Sequence, residues 1–318
     1  MKRKVIQLAG KTLVVSIPIK WARKKNIQKG DELDMLELPK SIVISKERLE
    51  APSYATTLNI TGFSTPLIWY YLTSLYRAGV HEITINCETT TTHDSQGRQV
   101  PVMKLLHEIA HRLIGMEVIK QGRRYCTIKQ LSTIKPEELE QSMKRAFQSV
   151  ISMAQEIEQG VAKDDKIMLE ELASYADNQV NRLVDFCLRA ISMRQEDSKK
   201  TLAYTYIVTA IEDIGDFFSY IAQLCAKRKA SQRFRSVFKD MTTFLESLYH
   251  ATYAFTNDKF IALHDQQQHL REHIQDVQIH GENADVMIGD LMYTITKRGM
   301  ELLSYALILA HPFEENHL

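Results

Sequence analysis

The stretch Ile211-Glu212-Asp213-Ile214-Gly215-Asp216 lies in the middle of a long run of helix-forming residues and indicates the fold of the larger part of the chain. Apolar residues around it recur with alternating gaps of four and three, which is the pattern of a helix packed in a bundle. The residues of this apolar face are Ile207, Ile211, Ile214, Phe218, Ile221 and Cys225. Glu212 and Asp216 lie one turn apart just beside this face, whereas Asp213 points nearly opposite it and is expected to be solvated.

Glu212 and Asp216 place two carboxylates beside a core, where they repel each other unless a counter-charge or water compensates them. No lysine or arginine lies on their stripe of the helix. Asp177 and Asn181 are also one turn apart, on the preceding predicted helix. If the two helices pack antiparallel, the four side chains converge into an oxygen-rich set that suits a hard or borderline cation. We therefore expect a site for a divalent or iron-type metal ion, with a solvated bundle edge as the alternative.

Two sets of three long helices are predicted from apolar residues that repeat at helical spacing. The first set lies within residues 134–230, where the first helix is expected to open at Pro136 and to close at Gly160. The second set lies within residues 231–312 and contains Met287-Ile288-Gly289-Asp290, which repeats the end of the stretch quoted above. This self-similarity predicts two tandem three-helix bundles.

The two three-helix repeats and their acid-x-x-x-acid motif resemble PhoU, a regulator of phosphate uptake. The resemblance covers about residues 134–309 and implies metal clusters on acidic faces of the bundles, together with a role in restraining phosphate transport and signalling. In the second repeat, Val286 stands where the family pattern has a glutamate, and the partner helix offers Asp265 and His269. The resemblance therefore implies a second, degraded metal site made of Asp290, Asp265 and His269.

Residues 1–50 are rich in basic and β-forming residues. The first thirty residues carry nine Lys or Arg and no Asp or Glu, a positive charge that favours contact with DNA phosphates. The residues expected to contact DNA are Lys2, Arg3, Lys4, Lys11, Lys20, Arg23, Lys24 and Lys25. The predicted order ββαββ is too short to bury a self-sufficient core, so we expect a homodimer with interleaved strands. A basic dimerisation module without DNA binding is the alternative.

The stretch GKTLVVSIPIKWARKKNIQKGDEL, from Gly10 to Leu33, resembles the swapped-hairpin DNA-binding domains of the AbrB/SpoVT type. A strand that ends in Ile17-Pro18, a short basic helix and the turn at Lys29-Gly30-Asp31 carry this resemblance. It implies a dimer whose paired basic faces bind DNA. Together with the PhoU-like half, the whole chain resembles archaeal phosphate-uptake regulators that join the two modules.

Residues 52–131 have the predicted order βαβαββ, which is typical of a small two-layer α/β domain, with a loop over Glu88–Gln99. Within it, the segment from His107 to His111 fits the H-E-x-x-H pattern of zinc peptidases. No histidine follows at the spacing of a third ligand, and the predicted helix ends almost at once. A zinc metallopeptidase that uses His107, Glu108 and His111 is thus an alternative that its context disfavours.

The composition is ordinary for a globular protein: 318 residues, 44% hydrophobic and 25% charged, with a net charge of +1. The four cysteines are scattered, as expected for reduced thiols in a cytoplasmic protein. Neither a signal peptide nor an apolar run of the ~20 residues that span a bilayer is expected. Any membrane role is therefore expected to depend on a partner and not on direct insertion.

Together these patterns predict a multi-domain, mainly α cytoplasmic regulator. Its expected parts are an AbrB-like swapped-hairpin domain (1–50), an α/β connector (52–131) and two PhoU-like bundles (134–230 and 231–312). We expect it to couple metal binding, with phosphate as a further candidate ligand, to DNA binding. No nucleophile–base pair or phosphate-cradling glycine loop indicates an enzyme. The alternative is a modulator that does not bind DNA and acts on a phosphate ABC transporter ATPase or a sensor kinase.

Overall fold

A computed structural model describes residues 2–8, 10–38, 41–46, 54–132, 136–194, 198–228, 234–281 and 283–311 of the chain. The chain divides into two compact units, one formed by residues 1–53 and the other by residues 54–318. The predicted domain boundaries near residues 51, 133 and 230 fall in ranges that lie outside the described residues.

The first unit consists of two β-hairpins and one short helix. Its elements are β1 (Val5–Leu8), β2 (Thr12–Val15), α1 (Ile19–Lys24), β3 (Asp34–Leu38) and β4 (Ser41–Ser45). Gly10 has a φ of +80° between β1 and β2, and Asn26 has a φ of +51° just after the helix. The predicted order ββαββ is confirmed. Glycine and asparagine are the residues that most easily adopt the left-handed conformation that these two positions need.

The first unit leaves its apolar side chains in contact with solvent. Among the residues described in it, none is buried. Eight aliphatic side chains are at least half exposed: Val5, Ile6, Leu8, Leu13, Val15, Ile19, Met35 and Ile42. A single copy of this unit therefore gains little stabilisation from burial of apolar surface.

The second unit begins with an α/β domain. Its elements are β5 (Tyr54–Asn59), α2 (Thr65–Arg77), β6 (Val80–Asn86), β7 (Thr91–His93), β8 (Gln99–Pro101), α3 (Val102–Arg112), β9 (Met116–Gln121) and β10 (Tyr125–Gln130). The main sheet has the order β5-β6-β10-β9; β5 and β6 are parallel, and the other neighbours are antiparallel. Both helices pack against this sheet and against each other, which confirms the two-layer prediction.

The predicted loop over Glu88–Gln99 is wrong in part, because β7 and β8 within and beside it form a small antiparallel hairpin. The Asp94 side chain accepts hydrogen bonds from the backbone N–H groups of Gln96 and Arg98, both at 2.9 Å, and so orders the turn. Residues rich in Thr, Ser and Gly suit either a loop or a strand with a tight turn. These local hydrogen bonds favour the hairpin.

Over the described residues from 136 onward, the second unit contains six long helices. They are α4 (Pro136–Lys163), α5 (Lys166–Met193), α6 (Ser198–Lys227), α7 (Phe234–Tyr253), α8 (Asn257–His280) and α9 (Asn283–Ala310). Apolar residues from all six form one hydrophobic core. The predicted order of two successive three-helix repeats is confirmed. In the part of the chain that the structure describes, no helix is long and apolar enough to cross a membrane.

The predicted end of the first bundle helix at Gly160 is wrong. Helix α4 continues to Lys163, and Asp164 then takes a left-handed conformation, with a φ of +55°. A Cβ atom on Gly160 would lie 2.8 Å from Cδ2 of Leu169. The glycine therefore marks a close approach between two helices and not a helix end.

Helices α5 and α6 pack antiparallel, as the sequence predicts. The Ser219 hydroxyl donates a hydrogen bond of 2.9 Å to the carbonyl oxygen of Ala173. Further along the pair, a Cβ on Gly215 would lie 3.2 Å from Cγ1 of Val180. These contacts place the predicted acidic residues of α5 near those of α6 along the bundle axis.

Candidate functional site

Glu212 is half-buried and has a counter-charge that comes from outside the bundle. Arg77, the last residue of α2 in the α/β domain, donates a hydrogen bond from Nη2 to Oε1 of Glu212 at 3.0 Å. The two residues are 135 positions apart in the chain. The compensation that the sequence analysis assigned to a metal ion is therefore supplied, for Glu212, by a guanidinium group.

Asp185 is a central member of this site that the sequence analysis missed. Its side chain is 1% exposed, and it accepts a 2.7 Å hydrogen bond from Nε of Arg77. Nη2 of Arg112, from the end of α3, lies 3.3 Å from its other carboxylate oxygen. Asp185 follows Asn181 by one helical turn and Asp177 by two, so the same stripe argument would have found it.

Two arginines and two carboxylates thus form one ion-pair network between the α/β domain and the bundle. Burial raises the pKa of Glu212 above its ordinary value, although Arg77 acts in the opposite direction. Burial by itself would lower the pKa of Arg77, but Asp185 and Glu212 more than offset it and the pKa is raised. The guanidinium is therefore held in its charged form.

Arg189 makes a second link between the α/β domain and the bundle. Its side chain belongs to α5 and is fully buried. Its Nη1 donates a 2.6 Å hydrogen bond to the carbonyl oxygen of Tyr76, and its guanidinium lies 4.7 Å from the centre of the Tyr76 ring. Its Nη2 also donates to the side-chain oxygen of Gln130. Polar contacts made by buried arginines therefore hold the two parts together.

The four residues predicted to form the first metal site have different surroundings. Glu212 accepts a hydrogen bond from Arg77. Asp216 is exposed one turn further along α6, and Asn181 is half-buried on α5. The side chain of Asp177 lies outside the described residues. A metal ion at Glu212 would have to compete with the guanidinium of Arg77, which carries the same sign of charge.

Across the residues that are described, no group of three or more His, Cys, Asp or Glu side chains is arranged to hold a metal ion. In the second repeat, Oδ1 of Asp290 accepts a 2.8 Å hydrogen bond from the amide of Gln278 on α8. The partner that α8 places beside Asp290 is therefore an amide, and not one of the residues predicted from the sequence.

Asp265 and His269 are not brought to Asp290. They lie on either side of Gln267, whose amide donates a 3.1 Å hydrogen bond to the carbonyl oxygen of Thr296. Thr296 follows Asp290 by six residues on α9, a distance of ~9 Å along the axis at 1.5 Å per residue. Asp265 and His269 are also both exposed.

Asp213 keeps 40% of its side-chain surface exposed to solvent, but it also has an arginine partner that the sequence does not indicate. It is half-buried, and Oδ2 of its carboxylate lies 3.1 Å from Nη2 of Arg298 on α9. Helix α6 packs against α9 of the second bundle as well as against the helices of the first. A residue that points away from the first bundle, such as Asp213, therefore meets a side chain of the second.

The H-E-x-x-H residues lie near the end of α3 and are exposed. Nε2 of His107 lies 2.6 Å from the side-chain oxygen of Gln121, and Glu108 is 3.8 Å from Lys104. His111 lines a cleft described below. His107 and His111 therefore have different surroundings. No described carboxylate, cysteine or histidine completes a metal-binding group with them.

The basic residues predicted to contact DNA all lie on the surface of the first unit. All eight are exposed: Lys2, Arg3, Lys4, Lys11, Lys20, Arg23, Lys24 and Lys25. Helix α1 has two of its basic residues in its last turn and no acidic residue in its first turn. The predicted basic surface is therefore accessible to a large anionic partner.

Residues 6–51 match the family described as antidote-toxin recognition MazE, bacterial antitoxin. The first unit is similar to MazE antitoxins. This match covers the same residues as the AbrB-like resemblance, whose prediction it confirms. No curated protein sequence matches the chain.

A solved structure aligns with part of the chain. The chain aligns with the crystal structure of the phosphate transport system regulatory protein PhoU from Streptococcus pneumoniae at 20% identity, with a TM-score of 0.38. The alignment covers 54% of this chain and 89% of that chain. The chain combines a MazE-like start with two successive sets of three long helices in its second unit.

Replacing Arg77 by Gln is expected to destabilise the second unit. The change leaves Asp185 buried with Arg112 as its remaining partner, 3.3 Å away. Breaking a buried ion pair costs about 3–5 kcal/mol, and Arg77 is 34% exposed, so the free energy of unfolding should fall by about 2–3 kcal/mol at pH 7. Urea unfolding followed by circular dichroism measures this change.

The control for this variant is Lys129→Gln, which removes an ion pair with Glu82 in the same domain. Because both side chains of that pair are about a third or more exposed, its loss should cost less than about 1 kcal/mol. Equal losses for the two variants would contradict a structural role of the Arg77 network.

The defect of Arg77→Gln is also expected to depend on pH. Burial raises the pKa of Glu212 in the folded protein above its value in the unfolded chain. The contribution of Glu212 to stability is therefore fully present at a pH below the unfolded-state pKa, and it is lost as the pH rises through the folded-state pKa. Removal of Arg77 raises that folded-state pKa further. The difference from the wild type should therefore be largest near pH 7 and shrink on acidification, and a growing difference would show that the network does not act through Glu212.

Proposed function

We propose that the protein is a cytoplasmic, DNA-binding regulator of phosphate uptake, with an N-terminal unit that binds DNA and a helical body that senses phosphate status. The observation that carries the DNA-binding part is the MazE-like first unit with its exposed basic side chains. Positive charge with no acidic residue among the first thirty positions favours the phosphate backbone of a duplex. The four buried, unpaired cysteines support a reducing compartment.

The first unit is proposed to bind DNA as a homodimer. Its described residues include no buried side chain, and Leu13 is 70% exposed in β2. A second copy that interleaves its hairpins would cover these apolar residues and double the positive charge presented to DNA. A dimer would thus bury the apolar surface that one copy leaves exposed and would strengthen the electrostatic attraction to DNA.

The phosphate part of the proposal is supported by the sequence resemblance of residues 134–309 to PhoU. The physical basis proposed for regulation is linkage: a ligand that favours one arrangement of the second unit changes the affinity of the protein for DNA. The ion-pair network around Asp185 joins the α/β domain to the bundle and is a place where a charged ligand would alter that arrangement.

The variant Leu13→Asp is expected to dissociate the proposed homodimer. A carboxylate placed within an apolar interface is strongly unfavourable unless it is paired. Sedimentation velocity of the full chain should give a dimer for the wild type and a monomer for Leu13→Asp. Ile261→Asp, at a position on α8 that is 58% exposed, is the control and should remain dimeric. A dimer that survives Leu13→Asp would place the dimer interface elsewhere.

The triple variant Arg23→Gln, Lys24→Gln, Lys25→Gln is expected to bind duplex DNA more weakly than the wild type. For B-DNA, the slope of log K against log salt is about −0.9 for each phosphate contacted, so each lost contact should make the slope shallower by about one. Fluorescence anisotropy with the full chain over a series of KCl concentrations measures both the affinity and the slope.

A variant with the same change in charge tests whether this effect is local. The exposed residues to replace by Gln are Lys163, Lys166 and Lys239 of the second unit. This control should keep the wild-type slope. Absence of salt-dependent DNA binding by the wild type would instead favour a modulator that acts on a transporter ATPase or a kinase.

A divalent or iron-type ion at Glu212, Asp216, Asp177 and Asn181 stays a prediction, and it would compete with Arg77 for Glu212. Arg77→Gln should therefore bind such an ion about tenfold more tightly than the wild type, since a like charge is removed. The double variant Glu212→Gln, Asp216→Asn should lose it. Metal analysis after equilibrium dialysis tests this, and equal metal content in all three proteins would rule out the acidic face.

A further inference from the structure

A cleft of ≈ 640 Å³ lies between the α/β domain and the first bundle. The α/β domain contributes Trp69 from α2 and His111 and Arg112 from α3, while the bundle contributes Arg145 from α4 and Arg182 from α5. No aspartate or glutamate is among the described residues that line it. Three arginines line this one concave site, with no acidic residue among the described lining side chains, and like charges repel unless an anion compensates them.

Arg145 and Arg182 contribute the uncompensated charge. Both are exposed, and within the described part of the chain neither guanidinium has an ion-pair or hydrogen-bond partner. Asn178 and Gln179 add amide groups to the same wall of the cleft. Amide N–H groups and guanidinium groups are the donors that proteins use for phosphoryl oxygens.

Arg112 lies between the cleft and the ion-pair network. Its guanidinium lies 5.0 Å from the centre of the Trp69 ring, and Nη2 contacts the buried carboxylate of Asp185 at 3.3 Å. Its Nε is buried and lacks a hydrogen-bond partner among the described residues. An unsatisfied buried donor on a residue that lines a cleft is a further feature that a bound anion would relieve.

We propose that this cleft binds a phosphate-type oxyanion, either inorganic phosphate or a phosphoryl group of a small molecule. Arg145 and Arg182 together neutralise a dianion, and Arg112 orients it from the α/β side. The proposal rests on the proposed function in naming the group that senses phosphate, but it places that group away from the acidic face of α5 and α6. The apolar side chains of Ile114 and Leu183 also line the cleft and would strengthen the interaction by lowering the local dielectric.

The same geometry gives the cleft a route to the ion-pair network. Arg112 belongs to both, so an anion that draws its guanidinium into the cleft weakens its contact with Asp185 and leaves that carboxylate to Arg77. Anion binding would thus redistribute charge at the junction of the α/β domain and the bundle, which is the kind of differential contact that linkage requires.

The test measures binding of inorganic phosphate, pyrophosphate and ATP to the full chain by isothermal titration calorimetry, at fixed ionic strength with chloride as the other anion. At least one probe is expected to bind the wild type, with one site per chain. In the double variant Arg145→Gln, Arg182→Gln the association constant should fall about tenfold or more, the effect of losing charge-assisted hydrogen bonds. The tightest of the three probes identifies the source of the phosphoryl group.

The matched control is Lys166→Gln with Lys239→Gln, which removes the same charge from exposed positions. Lys166 precedes Arg182 on the same helix by ~24 Å at 1.5 Å per residue. This control should bind the probe as the wild type does. No binding of any probe to the wild type, unchanged binding by the arginine variant, or an equal loss in the control would each overturn the proposal.

Trp69 supplies a positional readout. The chain has two tryptophans, so the variant Trp21→Phe leaves Trp69 as the single emitter. Its fluorescence should change on addition of the binding probe and titrate with the calorimetric constant, and a silent Trp69 would place the anion elsewhere. DNA binding is measured separately, in the absence of phosphate. If the protein binds DNA but none of the three probes, the anion site in the cleft is refuted and the DNA-binding function is not. If it binds a probe but not DNA, the DNA-binding function is refuted and the anion site is not.

Discussion

Arg77 stands between two carboxylates that the first bundle removes from water, and the docking of the α/β domain depends on this contact. Asp185 is almost completely buried, so without a cation beside it the bundle would carry an isolated charge in a low-dielectric place. The α/β domain supplies that cation from the end of α2. This requirement explains why two domains with separate hydrophobic cores form one compact unit.

The arginines at this junction have different tasks. Arg77 and Arg189 are committed to partners on the other side of the junction, whereas Arg145 and Arg182 face a cleft in which none of the described lining residues is acidic. Arg112 belongs to both groups. One charged side chain is therefore shared by a structural contact and a proposed ligand site. Strengthening its contact with a ligand weakens its structural contact, so the charge of the ligand changes the ion-pair network.

The features that the sequence determined by itself are those set by neighbours in the chain. The spacing of apolar residues predicted the two three-helix repeats, because one face of each helix must be buried wherever its partner lies. The left-handed Asn26 and the ββαββ order of the first unit followed from local conformational preference. The excess of basic residues over the first thirty positions is likewise evident, since charge composition needs no knowledge of the fold. The stripe that contains Glu212 was also recognised as requiring compensation.

Only the tertiary structure decided what provides that compensation. Arg77 lies 135 positions before Glu212, and periodicity within a helix carries no information about a side chain that arrives from another domain. The same limit applies to Asp213, whose arginine partner the sequence does not indicate, and to Gly160, at which the sequence predicts a helix end. In each case a packed neighbour from elsewhere in the chain, Arg298 for the first and Leu169 for the second, determines the role of the residue. The sequence pattern indicates that a buried charge needs a counter-charge or that a position needs a small residue. Packing between distant parts of the chain determines which group lies there.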